Sequence, residues 1–381
     1  MATIVINALS ARRGGGQTYI RNLLACLDES HKYIVLVGSY NSRLFEKAAA
    51  GKFYIRLYDC GKLNVYPLWR LFWEYFTLPK LLRMWKADVY YAAGGGTFVR
   101  VPKGIVSATI IRNMLPFDLK ERSRFPFFSL ARLKLALLKY IALYAVKRSD
   151  KVVFISEYSK KIVTESIPEA ARKGQVIYHG IDSHFFTPQA ADFDFSRFGV
   201  KRDEFYLYVS AFNHYKAQAE LAREWGFLVK NEFPYPLLLT GFLEPGYTDY
   251  VRKTISNLGL EDKVIITGPV SYEKLPAYYA GARSLVFASS CECCPNILLE
   301  MMASGKPIFC SQFPPMPEIG GKNLIYFDPY QRGSLSEKIL QAEKDFESLR
   351  NLGILNRKRA ETFRWQESAD QTVQFLIDQV R

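Results

Sequence analysis

Two glutamates in the second half of the chain, Glu292 and Glu300, stand eight positions apart and could approach one ligand from different ends of a short segment. They follow the predicted strand Ser284–Ala288, so they lie at a carboxyl edge, where open α/β sheets bind ligands. Pro295 suits the first turn of a helix that begins between them. Glutamates at this spacing occur often by chance, but their place after a strand, with Ala-Ser-Gly-Lys-Pro following, makes the pattern more specific.

Groups that attract anions occur at three places. The backbone amides near Asn296 and Ile297 would point from the start of that helix into a cleft. Gly14-Gly15-Gly16 lies between a predicted strand and helix, where glycines let a ligand approach the backbone; a plain tight turn explains it equally well. Lys216 follows the predicted strand Tyr206–Ser210 and can bind phosphate as a point charge, although a solvated surface lysine is the alternative.

Metal-binding patterns are weak. Cys291, Cys293 and Cys294 are more crowded than the two-residue gaps of zinc sites, and no histidine is near in sequence, so ordinary packing explains them better. Asp192 and Asp194 could hold a divalent ion with a nucleotide diphosphate, but they lie in a loop-like stretch typical of a linker. We therefore expect no metal and no resident cofactor.

Short β-branched strands alternate with longer helical segments in two series, one before and one after residue 200. This alternation predicts an α/β fold of two Rossmann-like, doubly wound parallel-sheet domains that face each other across a cleft. We place the domains at residues 1–186 and 187–363 and expect the terminal helix, 364–381, to pack on the first. His179, near this seam, fits a hinge as well as a ligand contact. The predicted strands are Thr3–Asn7, Tyr33–Val37, Val89–Ala92, Ile105–Ile111, Lys151–Ile155, Tyr206–Ser210, Leu237–Thr240, Val264–Thr267, Ser284–Ala288 and Pro307–Ser311.

Composition narrows the class of protein. The chain has 381 residues, 49% hydrophobic and 23% charged, which excludes a disordered or fibrous protein, and six cysteines exclude a disulfide framework. Residues 1–195 carry 29 Lys and Arg against 15 Asp and Glu, so the whole net charge of +14 lies there. That half is expected to face nucleic acid, an acidic substrate or an anionic membrane.

Two segments, Pro67–Lys86 and Phe117–Arg148, interleave basic and aromatic residues. This composition suits the interface of an anionic membrane, although aromatics in a core beside solvated charges would give the same pattern. No stretch reaches the roughly 18 apolar residues of a spanning helix, and no signal-peptide pattern is visible. We expect a cytoplasmic protein, peripheral on the inner face of the membrane.

Together these stretches resemble the retaining glycosyltransferases of family four, which have the GT-B fold. The resemblance covers nearly the whole chain and implies transfer of a hexose-type sugar from a nucleotide diphosphate donor with retention at the anomeric carbon. It implies a lipid-linked or saccharide acceptor, in synthesis of bacterial surface polysaccharide or glycoconjugate. The elements that carry it, in the family's order, are Gly14–Gly16, Ser156–Lys160, Tyr178–Asp182, Lys216, and Glu292 with Glu300 and Met301–Pro307.

The resemblance also implies a role for each site residue. Glu292 would contact the donor sugar, and Glu300 would hold the ribose hydroxyls. Such enzymes need no metal, because cationic and amide donors stabilise the departing diphosphate, which accepts the acceptor's proton in the same-face displacement often proposed. The donor-binding groups at the diphosphate would be Lys216 and the backbone at Gly14, Gly15, Gly16, Asn296, Ile297 and Leu298.

The chain departs from the family pattern at three positions. Ser210, at the donor site, stands where an arginine is common, so Arg112 of the first domain is the candidate to meet the remaining diphosphate charge. The His-Asp of many first domains is Arg112-Asn113 here, so we name no general base, and Cys294 replaces a common glycine. The expected catalytic residues are Glu292, Lys216 and Arg112.

Two other classes remain open. The basic composition would suit a nucleic-acid-binding protein, but no recognition motif supports one. A sugar-nucleotide epimerase or phosphorylase on a similar two-domain fold would share most of these features. We therefore expect a nucleotide sugar and its acceptor as partners, and no nucleic acid.

Overall fold

The computed structural model describes residues 1–12, 14–187, 193–378 and 380. The chain forms two compact units, one of residues 1–180 with 364–381 and the other of residues 181–363. The sequence predicted the boundary after residue 186, six positions later than the boundary after residue 180 in the structure. At the observed boundary Gly180 packs against the terminal helix: a Cβ at Gly180 would lie 2.1 Å from the backbone nitrogen of Trp365.

The first unit is built around a parallel sheet of seven strands. Its strands are β1 (Thr3–Asn7), β2 (Lys32–Val37), β3 (Ile55–Asp59), β4 (Val89–Ala92), β5 (Val106–Ile111), β6 (Lys151–Phe154) and β7 (Gly174–Val176). Its helices are α1 (Gly15–Cys26), α2 (Ser42–Ala49), α3 (Pro67–Phe76), α4 (Leu78–Met84), α5 (Leu119–Ser123), α6 (Leu130–Arg148), α7 (Glu157–Ser166), α8 (Ala170–Lys173) and the last helix of the chain, α16 (Trp365–Ile377). The strand order is β3-β2-β1-β4-β5-β6-β7.

The second unit has a parallel sheet of six strands. Its strands are β8 (Tyr206–Val209), β9 (Leu237–Thr240), β10 (Val264–Gly268), β11 (Ser284–Phe287), β12 (Ile308–Ser311) and β13 (Ile325–Phe327). Its helices are α9 (Gln218–Lys230), α10 (Tyr247–Asn257), α11 (Leu275–Gly281), α12 (Asn296–Ala303), α13 (Met316–Gly320), α14 (Ser334–Ala342) and α15 (Phe346–Ala360). The strand order is β10-β9-β8-β11-β12-β13. Two parallel-sheet units confirm the predicted fold class.

Local residue chemistry explains these elements. Central strands such as β4 and β8 are buried along their whole length, as strands covered on both faces must be. Helix α4 buries Leu78 and Leu82 in one core cluster with Val5, Leu36 and Tyr90 of the first sheet. Ser156 accepts a hydrogen bond from the backbone nitrogen of Ser159 at 3.1 Å and thereby caps α7.

Each sheet has a point where strand order reverses. In the first unit β1 lies between β2 and β4, and in the second β8 lies between β9 and β11. The loops that leave neighbouring strands in opposite directions open a crevice there, at the carboxyl ends of the strands. The predicted site residues of the second unit follow β8 and β11, and therefore start from this crevice.

Candidate functional site

Lys216 and Glu292 form an ion pair at the reversal point of the second sheet. The ammonium of Lys216 donates a hydrogen bond to Oε1 of Glu292, and only 9% and 17% of the two side chains is exposed. Lys216 follows β8, and Glu292 follows β11, the strand hydrogen-bonded to β8. The fold thus joins two residues that are 76 positions apart and that the sequence marked separately.

Lys216 owes its position to a tight turn after β8. The 3₁₀ turn His214–Lys216 ends at Ala217, whose φ of 56° places it in the left-handed region that an alanine rarely adopts. The carbonyl of Tyr215 accepts a hydrogen bond from the backbone nitrogen of Ser290 at 2.8 Å, which ties this turn to the loop that carries Glu292. The local strain at Ala217 is typical of a functional loop.

The electrostatics of the pair favour a charged lysine. Burial is the largest single influence and acts to lower the pKa of Lys216, but the Glu292 carboxylate, together with Tyr215 and Tyr208, outweighs it, and the net effect raises the pKa above its usual value. Lys216 therefore carries its positive charge at every physiological pH. A buried ammonium at a sheet edge offers a strong charge-assisted donor to a phosphate oxygen.

Helix α12 places Glu300 in the interior of the second unit, where 7% of the residue is exposed. The hydroxyl of Tyr279, on α11, donates a hydrogen bond to Oε2 of Glu300 at 3.3 Å. At the other end of α12, the first backbone bond of the helix runs from Leu299 to the carbonyl of Pro295. The amides of Ile297 and Leu298 precede that bond and suit an anion at the helix start.

Ser210 lies just after β8, where neighbouring backbone approaches closely. Its hydroxyl donates to the carbonyl of Ala211 at 3.1 Å, and its backbone nitrogen donates to the carbonyl of Thr240 at 2.8 Å. Gly241, with φ of 151°, approaches so closely that a Cβ there would lie 2.0 Å from the Ser210 carbonyl oxygen. Ser210 thus shapes the loop through its backbone.

The first unit holds a separate anion-attracting group. Gly14 caps α1, and Gly15 and Gly16 form its first turn, so the glycines belong to the start of the helix and not to a loop between the strand and the helix. A Cβ on Gly16 would lie 3.4 Å from both terminal nitrogens of Arg112, which follows β5. Arg112 also lies over the ring of Tyr19 at 5.3 Å. The structure therefore brings Arg112 to the start of α1, as a site for a negative group requires.

His179 lies in an aromatic stack of the first unit. Its ring is 5.2 Å from Tyr19 and 5.3 Å from Trp365 of α16. The residue is buried, with 4% exposed. This packing gives His179 a structural role that joins α1 to the last helix.

The described residues contain no group of three or more His, Cys, Asp or Glu side chains that could hold a metal ion. Cys291, Cys293 and Cys294 are buried beside the candidate site. Asp194 accepts hydrogen bonds from the backbone and the hydroxyl of Ser196, each at 2.8 Å, and these bonds lower its pKa. Asp192, the other half of that hypothesis, lies outside the described residues.

None of the helices in the described part of the chain has the length and apolar character needed to cross a bilayer.

Sequence reasoning did not find the residues that support the site. Tyr279 contacts Glu300 from another helix, and the hydroxyl of Ser290 lies 2.9 Å from that of Tyr330. These partners are 21 and 40 positions apart, so no local pattern marks them. Only the neighbouring tyrosines Tyr278 and Tyr279 on one short apolar helix could have drawn attention.

Comparisons with known proteins agree with this geometry. Residues 13–185 match the family model described as Glycosyltransferase Family 4, and residues 191–359 match Glycosyl transferases group 1. The solved structure of Anabaena HepE in complex with UDP and glucose superposes with a TM-score of 0.74 at 17% identity, covering 99% of this chain and 100% of that one.

Two curated relatives align over part of their length. O-antigen chain mannosyltransferase B of Escherichia coli is 33% identical over 141 residues, 36% of each protein. The MMP alpha-(1->4)-mannosyltransferase of Mycolicibacterium hassiacum is 28% identical over 235 residues, 60% of this chain and 54% of that protein. The chain thus spans about a third to a half of these two relatives.

The chain has the GT-B fold. This assignment follows from its two parallel-sheet units, which have candidate anion sites at the carboxyl edges of their strands, and from the match to the Anabaena structure. The two family models cover nearly the whole chain between them. The first half of the chain matches glycosyltransferase family 4 and the second half matches the glycosyl transferases of group 1, which confirms the resemblance to a GT-B glycosyltransferase of the family-four type.

Proposed function

We propose that this protein is a retaining glycosyltransferase that moves a hexose-type sugar from a nucleotide diphosphate donor to a lipid-linked or saccharide acceptor. The observation that carries the proposal is the Lys216–Glu292 ion pair at the reversal point of the second sheet. The pair sets a permanent positive charge beside a carboxylate, which suits a ligand with a diphosphate joined to a sugar. UDP and glucose in the structural neighbour, and mannosyl transfer in the curated relatives, support this ligand class.

Each residue has a defined task in the proposed reaction. Lys216 and the amides of Ile297 and Leu298 stabilise the negative charge that grows on the departing diphosphate. Glu292 accepts hydrogen bonds from the hydroxyls of the donor sugar and holds the anomeric carbon in place. Glu300, oriented by Tyr279, accepts from the ribose hydroxyls.

The bond between the anomeric carbon and the diphosphate oxygen breaks as the acceptor oxygen bonds to the same face of that carbon. The acceptor's proton passes to the departing phosphate, so no protein base is required. Arg112, beside the start of α1, is the first unit's candidate to neutralise negative charge. We propose that no metal takes part, because amides and basic side chains supply this stabilisation.

The biological setting belongs to the same proposal. The name of the Escherichia coli relative refers to O-antigen, which supports a place in surface polysaccharide or glycoconjugate synthesis. A lipid-linked acceptor would be met at the inner face of the membrane, and the basic first half of the chain suits that location.

The test begins with a thermal-shift screen of UDP-, GDP- and dTDP-sugars against the full chain. The donor that stabilises the protein is then supplied with candidate acceptors, and NMR of the product reports the anomeric configuration. Retention supports the proposal, and inversion contradicts the mechanism. Conversion of the sugar nucleotide without any acceptor would instead identify an epimerase.

A further inference from the structure

Helix α3 of the first unit has its polarity reversed. Its only two charged residues, Arg70 and Glu74, face inward, and Glu74 is 1% exposed. Trp69 and Phe72 face outward, 68% and 60% exposed. A surface helix of a soluble domain normally shows the opposite arrangement.

A buried network fixes α3 in this orientation. Arg70 donates to Oε1 of Glu74 at 2.7 Å, and Asn7, at the end of β1, donates to the same oxygen at 2.9 Å. Asn7 also donates to the hydroxyl of Tyr90 at 2.9 Å. Turning the helix to bury its aromatic face would strip Glu74 of these partners, which is costly for a buried charge. The outward aromatic face is therefore specified by the fold.

Helix α6 and the loop before it present a second apolar surface. Phe128, in that loop, is 94% exposed. An exposed stripe follows the helix at spacings of three and four residues; its members are Leu130, Leu133, Leu137 and Tyr140.

A single loop contacts both helices. The ring of Phe98 stacks on Tyr144 of α6 with centroids 5.4 Å apart, and Arg100 lies over the ring of Tyr75 of α3 at 4.4 Å. The two exposed surfaces therefore border one loop of the first unit. We call α3, α6 and the loop at Phe127–Phe128 the aromatic-basic face.

The positive charge around this face indicates which kind of partner covers it. Residues 66–148, the stretch that includes this face, contain 15 Lys and Arg against 4 Asp and Glu, a net charge of +11, and α6 alone carries five Lys and Arg and no Asp or Glu. None of these four acidic residues is exposed, whereas many of the basic ones are. A second copy of the chain would meet like charge here, which opposes self-association. Apolar side chains among exposed cations match the headgroup and upper acyl region of an anionic bilayer.

We infer that the aromatic-basic face docks on anionic phospholipid, with Trp69 and Phe72 inserted among the acyl chains and the exposed lysines and arginines at the headgroups. This inference names the membrane partner of the proposed transferase. The biological purpose of docking rests on that proposed function, but the docking itself does not. Binding is measured without donor or acceptor, so its outcome is independent of whether sugar transfer occurs.

The experiment is co-sedimentation of the full chain with phosphatidylcholine vesicles, with and without phosphatidylglycerol, at low and high salt. We expect binding only to the anionic vesicles and a decrease with salt. The double change Trp69→Ser with Phe72→Ser should weaken binding by roughly tenfold or more. The matched control changes Phe242 and Ile354 to Ser, two residues of the second unit that are each 54% exposed, and should bind as wild type does.

Fluorescence gives a readout of insertion. Of the five tryptophans, Trp69 is exposed and the other four are buried or half-buried. Brominated phosphatidylcholine mixed into the anionic vesicles should quench it, and Trp69→Phe should bind normally while losing that quenching. Unchanged melting temperature and nucleotide affinity would show that the double variant is folded.

Four outcomes would overturn the inference. Wild type that ignores anionic vesicles at low salt, or a folded double variant that binds as well as wild type, excludes the aromatic-basic face as a lipid contact. A dimer in sedimentation analysis that the double variant dissociates, without lipid binding, assigns the face to a second copy. Retention on single-stranded DNA with no binding to vesicles assigns it to nucleic acid.

Discussion

The hydroxyl of Tyr279 lies 3.3 Å from Oε2 of Glu300 and donates a hydrogen bond to it inside the second unit. Burial, together with the Glu300 carboxylate, raises the pKa of Tyr279 well above its usual value. Tyr279 therefore remains a donor at every physiological pH. The contact fixes the orientation of a carboxylate that is otherwise carried on the flexible side chain of a glutamate.

Replacing Glu300 tests its proposed contact with the nucleotide. Glu300→Ala should weaken nucleotide binding by roughly 1.5–3 kcal/mol, because buried ribose hydroxyls would lose a charged acceptor. Tyr279→Phe should have a smaller effect, because it removes only the orienting bond. Isothermal calorimetry measures both, with Glu347→Ala, an exposed position of α15, as the control. A folded Glu300→Ala variant with unchanged affinity would contradict the assignment.

The Lys216–Glu292 pair predicts a distinct pattern of stability and activity. Glu292→Gln leaves a nearly buried ammonium without its carboxylate, so the unliganded protein should lose about 2–4 kcal/mol of stability. A nucleotide diphosphate should restore part of that loss, because its phosphates replace the missing negative charge. Thermal melts with and without nucleotide measure this effect.

Lys216→Met should lower turnover by roughly 100- to 1,000-fold, as loss of one donor to a developing charge does. Lys216→Arg keeps the charge and should retain more activity. Full activity of a folded Lys216→Met variant would remove Lys216 from the mechanism.

The raised pKa of Lys216 predicts the pH dependence. A group whose pKa is higher in the folded state stabilises the protein fully below its unfolded value, about 10.4, and loses that effect as pH rises through the folded value. Lys216 should therefore stay protonated between about pH 8 and pH 10, and its deprotonation should not weaken nucleotide binding in this range. Calorimetry across this range is the measurement. A decrease that Lys216→Arg abolishes would show that the lysine deprotonates earlier.

Metal independence is the fifth prediction. Turnover should survive EDTA, because the proposed site supplies amides and Lys216 to the diphosphate. Turnover that disappears with chelator and returns with manganese would revive the hypothesis of Asp192 and Asp194. In that case the double change of both residues to Ala should abolish the manganese effect.

The sequence predicts the central elements of the fold well. All ten predicted strands exist, with ends that differ by one residue at most. The three strands that were missed, β3, β7 and β13, each form a sheet edge. β7, for example, has no fully buried residue. An edge strand is covered less completely and lacks the continuous apolar run that marks a central parallel strand.

The candidate site was predicted less completely than the fold. Lys216 and Glu292 were recognisable because each follows a strand, but the strand order that joins them appears only in the sheet. The contact of Tyr279 with Glu300 depends on how α11 packs beside α12, and nothing local encodes it. Likewise, the inward direction of Arg70 and Glu74 depends on partners far away in sequence.

The two crossings of the chain between its units lie side by side, since the backbone nitrogen of Ile181 donates to the carbonyl of Phe363 at 3.0 Å. The second unit is therefore inserted into the first, and its ends already meet. During synthesis, residues 181–363 are all polymerised before α16 is made. The first unit, although it starts first, must wait for α16 to cover Tyr19 and His179. The order of translation therefore makes the whole sequence of the second unit available before that of the first unit is complete.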